Sequence, residues 1–196
     1  MKLAAITGSI GCGKTTLAKI VRQLGYPVFD VDAWVRRMYF NRSFIKTIAE
    51  HFPQTVKDGV VNKRLLRNIV FNNKEQLKLL ESLTHPFLRD YMKYTIRKYA
   101  KVQGWFFIDV ALLFEMNWDM FCDFIIVADV DYEIQKQRVM LRDNVSADDF
   151  DKINNVQMDN KAKVKLADVV INTNKPQNLL RSELINIISG LEMSDD

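Results

Sequence analysis

Glycine and proline are scarce, with 7 Gly and 4 Pro in 196 residues. That scarcity excludes long low-complexity or disordered stretches. Two cysteines, Cys12 and Cys122, are too few for a disulfide scaffold. Cys12 also lies inside a glycine-rich loop, where a bridge would be awkward, so a reducing, cytoplasmic setting is expected. With two histidines and no Cys/His cluster, no zinc site is expected. Long apolar runs are missing as well. The opening MKLAAITGS holds one lysine and a five-residue apolar run, too short for a signal peptide. The most apolar stretch, 105–114, is broken by Asp109, so no segment reads as a membrane span. Charge of one sign is not dominant: 28 basic against 24 acidic side chains leave a net +4. Such a mild excess suits a nucleic-acid binder no better than an enzyme acting on small polyanions. The densest basic groups, 93–101 and 161–165, read as exposed helix faces. Nothing calls for a nucleic-acid or membrane partner, and a monomer is the working expectation.

What glycine there is clusters. Three of the seven fall at Gly8, Gly11 and Gly13, and Lys14, Thr15 and Thr16 follow. Gly8, Gly13, Lys14 and Thr15 satisfy G-x-x-x-x-G-K-[ST]. Each residue type has a task. Glycines let successive N–H groups turn inward and let phosphate oxygens approach closely. The helix opening at Lys14 adds its positive end. Lys14 reaches the β and γ phosphates, the Thr15 hydroxyl ligates magnesium, and Thr16 supports the α phosphate. A chance match in a chain of this length has odds of about one in a hundred or less. A ligand-free glycine turn would leave Lys14 and Thr15 unexplained. A dinucleotide fingerprint would use Gly11-x-Gly13 with Asp30 or Asp32 downstream, but it needs a small residue where Thr16 stands.

Leu3–Thr7 reads as a buried strand, residues 14–24 as an amphipathic helix stopped by Gly25, and Pro27–Phe29 as a second strand ending at Asp30. Residues 32–103 show only helical patterning, with Pro86 expected to kink or restart the last stretch. Strands return at Trp105–Ile108, Phe124–Ala128 and Val169–Ile171, and a closing helix over Leu179–Ile188 stops before Gly190 and a frayed acidic tail. The expected fold is α/β: a P-loop NTPase three-layer sandwich on a five-stranded parallel sheet. The expected organisation is a nucleotide-binding core (1–31, 104–142 and 165–196), a helical insertion (32–103) and a lid (143–164). Ser146, backed by Asp149, reads as a helix N-cap within the lid.

Ligands of such sheets bind at the carboxyl ends of the strands, where Gly8, Asp30, Asp109 and Asp129 fall. Phosphoryl transfer to a hydroxyl needs a carboxylate near the nucleophile. Asp32 reads as that base and Asp30 as a helix cap, although either residue type serves either role. Asp109 closes WFFID, a Walker B pattern pointing to magnesium or substrate; Glu115 fits the site or the surface equally. Arg138 and Arg142 lie four apart on one helix face, either as surface residues with acidic partners or as guanidinium groups closing on phosphates. His85, before Pro86, reads by default as a packed or capping histidine. Trp34, Trp105 and Trp118 read as packing.

Six stretches together resemble the dephospho-coenzyme A kinase family: ITGSIGCGKTT, LGYPVFDVDAWVR, LRNIVFNNKEQLKLLESLTHP, FIDVALLFE, QKQRVMLRDNVS and VQMDNKAKVKLADVVINT. They cover most of the chain. The resemblance implies ATP- and magnesium-dependent phosphorylation of the ribose 3′-hydroxyl of dephospho-CoA. It implies a nucleotide held by Gly8, Gly11, Cys12, Gly13, Lys14, Thr15 and Thr16, with Arg138 and Arg142. Lys14, Asp32 and Arg142 would be catalytic, with Asp32 as the base and Arg142 acting from the lid. The acceptor would meet Asp32, Arg36, Leu65, His85 and Asp109, and magnesium would meet Thr15 and Asp109. Ala111 stands where the family usually has proline, Ser9 where glycine is common, and Val31 where a small residue is usual. None of these removes a charged group. The rival readings are a nucleoside or nucleotide kinase and a non-enzymatic nucleotide switch. The guanine-reading N-K-x-D is missing, since Asn160-Lys161-Ala162 is followed by Lys163.

Overall fold

The computed structural model describes residues 2–71, 73–99 and 104–193. Its strands are β1 (Lys2–Thr7), β2 (Val28–Asp30), β3 (Val56–Lys57), β4 (Val60–Val61), β5 (Trp105–Asp109), β6 (Phe124–Asp129) and β7 (Val169–Asn172). Five of them form one sheet in the order β2-β5-β1-β6-β7, and every pairing in it is parallel. The chain divides into two compact units, Met1–Val31 with Lys101–Asp196, and Asp32–Ala100.

The first unit holds the large sheet with α1 (Lys14–Gln23), α6 (Tyr132–Asp143), α7 (Ala147–Asn154), α8 (Asn160–Lys165) and α9 (Gln177–Met193). Alternate strand residues Ala4, Ile6, Phe107, Ile126 and Ala128 share one core with Leu17, Ile20 and Val21 of α1 and Leu180, Leu184 and Ile188 of α9. The intervening residues Leu3, Ala5, Phe106, Ile108, Ile125 and Val127 are buried too. A strand wrapped on both faces must be apolar throughout, which is why these segments show continuous runs and no polar alternation. Helix α1 stops where Gly25 turns left-handed at φ 96°; Tyr26 N–H then reaches the Val21 carbonyl and Gly25 N–H the Arg22 carbonyl.

The second unit carries α3 (Arg42–His51), α4 (Lys63–Phe71), α5 (Lys74–Tyr99) and all but the first residue of α2 (Val31–Met38). Asn41 caps α3 by accepting from Ser43 and Phe44 N–H. Met38, Phe44, Ile48, Phe52, Leu66 and Val70 form the core, with Leu83 and Phe87 packed against it.

Three expectations are corrected. The middle region is not all helical: β3 and β4 pair antiparallel across Asp58-Gly59, both at positive φ. That dipeptide supplies the turn, but the two-residue strands are too short to leave an alternating pattern. Helix α5 runs through Pro86 as one 26-residue element, so the helix does not restart there. Leu83 and Phe87 before and after the proline, and the buried Leu88 and Met92 beyond it, hold both arms against the missing N–H. Helix α9 runs through Gly190 to Met193, because Leu191 still packs on the core. The expected helical ending at 100–103 and the tail at 194–196 lie outside the described residues.

Candidate active site

The carboxyl ends of three adjacent strands bring the first groups together. Asp30 of β2 and Ile6 of β1 both stand in register with Asp109 of β5. Asp109 is 1% exposed and accepts from the Lys14 ammonium at 2.5 Å; Lys14 is itself 8% exposed. The loop lysine and the Walker B aspartate are therefore a buried ion pair.

Between β1 and α1 the loop has shape requirements that only glycine meets. Gly13, the N-cap residue of α1, has φ 88°, and a Cβ there would fall 2.7 Å from Thr173 Oγ1. Gly11 has φ 80°, and its Cβ would fall 2.6 Å from Val139 Cγ2. Side chains are excluded at both places by conformation and by space. The opening turn of α1 carries no acidic residue to neutralise its positive end. Thr16 and Leu17 N–H close its first turn on the Gly13 carbonyl at 3.0 and 3.3 Å, and the positive end of such a helix is the chemistry of an anion site. The Thr15 and Thr16 side chains are exposed beside them. Cys12 is fully buried, and burial, aided by the nearby Asp129 charge, pushes its thiol up to about 12. Only its backbone can serve a ligand; its carbonyl accepts from the Thr173 hydroxyl at 2.7 Å.

Several contributors leave no local mark in the sequence. Asn160 Oδ1 accepts from Ser9 N–H at 2.9 Å, and Gln157 Oε1 accepts from Ile10 N–H at 2.8 Å. Gln135 donates to the Ile10 carbonyl at 2.7 Å. Lys163 is wholly buried, donating to the Ala111 carbonyl at 2.7 Å and pairing with Glu115 at 3.0 Å. Placing the whole of 161–165 on an exposed face is thus corrected: Lys161 and Lys165 are exposed, while Lys163 points inward. Glu115, left open between site and surface, takes the Met158 N–H as well.

Arg138 donates to Thr173, to Oγ1 at 3.0 Å and to the carbonyl at 3.2 Å. Thr173 therefore links Arg138 to the loop. Arg142 has a 59% exposed side chain and forks onto its neighbour Asp143 at 2.7 and 2.8 Å. The hydrogen bond to Asp143 raises its pKa further. Ser146 caps α7, accepting from Asp149 N–H at 3.2 Å. Asp32, Arg36, Leu65 and His85 belong to the second unit. Asp32 lies in the first turn of α2, two residues beyond Asp30; Arg36 is exposed on the same helix. Leu65 is exposed on α4, and His85 is half-buried within α5.

Among the described residues no three His, Cys, Asp or Glu side chains gather as a metal site. The Thr15 hydroxyl and the Asp109 carboxylate are hard oxygen donors of the kind magnesium accepts alongside phosphate oxygens. No helix among the described residues is long and apolar enough to cross a membrane. Both cysteines are free.

Comparison with known proteins follows the same lines. The dephospho-CoA kinase family model matches residues 2–178. A dephospho-CoA kinase of Bartonella quintana is 35% identical over 193 residues, 97% of this chain and 98% of that protein. The solved structure of TT1252 from Thermus thermophilus aligns over 97% of both chains with a TM-score of 0.83 and 29% identity. A dephospho-CoA kinase from Campylobacter jejuni aligns over 100% of both chains with a TM-score of 0.72 and 28% identity.

Proposed function

The chain belongs to the dephospho-CoA kinase family, and from that premise we propose that it phosphorylates the ribose 3′-hydroxyl of dephospho-CoA with ATP, giving coenzyme A. The observation that carries this reading is the buried Lys14 at the mouth of α1, behind a loop whose glycines tolerate no side chain.

The ATP phosphates lie along Gly8 and Gly11 to Thr16, on the amides that open α1. Lys14 turns from Asp109 to the β and γ phosphates. Thr15 and Asp109 would hold magnesium, which would neutralise charge on the phosphate oxygens. The 3′-oxygen attacks the γ-phosphorus as the bond to the bridging oxygen of ADP breaks, and the hydroxyl proton passes to the Asp32 carboxylate. Arg138 supports the loop through Thr173. Arg142 exchanges Asp143 for phosphate as the part of the lid that carries α7 (Ala147–Asn154) closes, excluding water from the transfer, while the part from Gln157 to Lys163 stays fastened to the loop and to Glu115. Arg36, Leu65 and His85 meet the acceptor in the helical unit. Two free cysteines fit a cytoplasmic enzyme.

A coupled assay of ADP release with dephospho-CoA, adenosine and AMP as acceptors tests the substrate. Dephospho-CoA should accelerate release far more than the others; equal acceleration by a nucleoside or nucleotide would overturn the assignment. Asp32→Asn should lower kcat about a hundredfold or more while ATP still binds. Near wild-type turnover would remove Asp32 from the role, and the same loss in Asp30→Asn alone would transfer it.

A further inference from the structure

The first half of the phosphate loop is tied down by side chains that lie far away in sequence. Ile10 is gripped on both sides of its peptide, at N–H by Gln157 and at C=O by Gln135, which also donates to Asn154. Ser9 gives its N–H to Asn160 and its hydroxyl to the Met158 carbonyl, and its own carbonyl accepts from Cys12 N–H. Asn160 is oriented in turn, since its amide donates to the Asp129 carboxylate at 2.6 Å. The short stretch that carries these groups is itself fastened. Met158 N–H binds Glu115, and the buried Lys163 holds both Glu115 and the Ala111 carbonyl.

We propose that Gln157 and Asn160 are positioning residues for the nucleotide: by occupying the Ile10 and Ser9 N–H groups, they hold the first half of the loop still, so that the second half meets the phosphates already ordered. The proposal rests on reading this loop as the ATP site. The physical reason is preorganisation. Amides must converge on one phosphate chain, and any freedom left in the loop is lost on binding at the expense of affinity. Neither residue touches nucleotide in this scheme, and neither belongs to the acceptor-binding helices.

The test is ATP titration of the full chain by calorimetry, with KM measured separately for ATP and for dephospho-CoA. Gln157→Leu and Asn160→Leu each remove one hydrogen bond to the loop. Each should weaken ATP binding about tenfold, with the acceptor's KM unchanged. Asp129→Asn keeps an oxygen opposite the Asn160 amide and should retain most of the wild-type affinity. Asp129→Leu removes that oxygen and should reproduce the loss seen in Asn160→Leu. Should Asn160→Leu fail to fold, the half-buried Gln157 still provides the test. Wild-type ATP affinity in the leucine variants, or an equal rise in both KM values, would overturn the proposal alone. A wild-type chain that binds no ATP would remove the reading of the site, and this inference with it.

Discussion

The two units handle charge in opposite ways. Residues 32–100 carry 14 basic and 6 acidic side chains, a net +8, whereas the rest of the chain carries 14 basic and 18 acidic, a net −4. In the sheet unit the polar groups that matter are spent on one another: Lys14 on Asp109, Lys163 on Glu115, Asn160 on Asp129. In the helical unit the core is aromatic and aliphatic, and Arg36, Arg37 and Arg64 face solvent. Under the proposed function, the difference teaches where each unit would obtain its grip on an anion. The sheet unit relies on backbone geometry and one buried ammonium, which demand a fixed frame. The helical unit offers exposed guanidinium groups, which would suit the diphosphate of a flexible acceptor such as dephospho-CoA.

The comparison breaks most easily at Lys14. Lys14→Met keeps the stem and removes the charge, and should lower kcat about a thousandfold while circular dichroism stays native. Activity within tenfold of wild type would mean that the sheet unit does not depend on that ammonium. Next in size is the other unit's core. Phe44 packs edge-on against Tyr39 and Phe87, so Phe44→Ala should cost about 3–5 kcal/mol in urea unfolding. A cost below about 1 kcal/mol would show that the apolar core is not what holds the helices. Smaller again, Arg36→Ala should raise the KM for dephospho-CoA about tenfold and leave that for ATP alone. A matching rise for ATP would blur the division of labour between the units.

The smallest effect concerns the link between α6 and α7, where Asp151 accepts from Tyr132 and Lys136. Those hydrogen bonds, Tyr132 first, hold the Asp151 carboxyl below its ordinary 3.8. A depressed carboxyl contributes stability above its unfolded value and loses it as pH falls through its folded value. The protection of α7 amides relative to an Asp151→Asn variant should therefore be complete above about pH 4 and fade as the pH falls below it. A difference that persists at pH 2 would assign the link to packing.

Gly11, Gly13 and Lys14 were legible because each answers a demand made within the loop itself: positive φ, close approach, a cation at a helix mouth. The five strands were legible because burial on both faces leaves unbroken apolar runs. Gln157, Asn160, Lys163 and Thr173 were not, since they act on residues far distant along the chain, and no local pattern distinguishes a buried Lys163 from its exposed neighbours Lys161 and Lys165. Asp58-Gly59 was a readable turn signal, but it lay between strands only two residues long. Pro86 and Gly190 carried their usual helix-breaking meaning, and tertiary packing of Phe87 and Leu191 outweighed it.

The bond between Lys14 and Asp109 has a bearing on what the loop will accept. An incoming anion does not meet a bare positive charge; it must displace a carboxylate already seated there, so its gain is the difference between two attractions. A lone phosphate offers little advantage in that exchange, whereas a chain of phosphates brings several oxygens to compete at once. With the loop as the proposed nucleotide site, the pairing would favour the longer polyanion over its fragments.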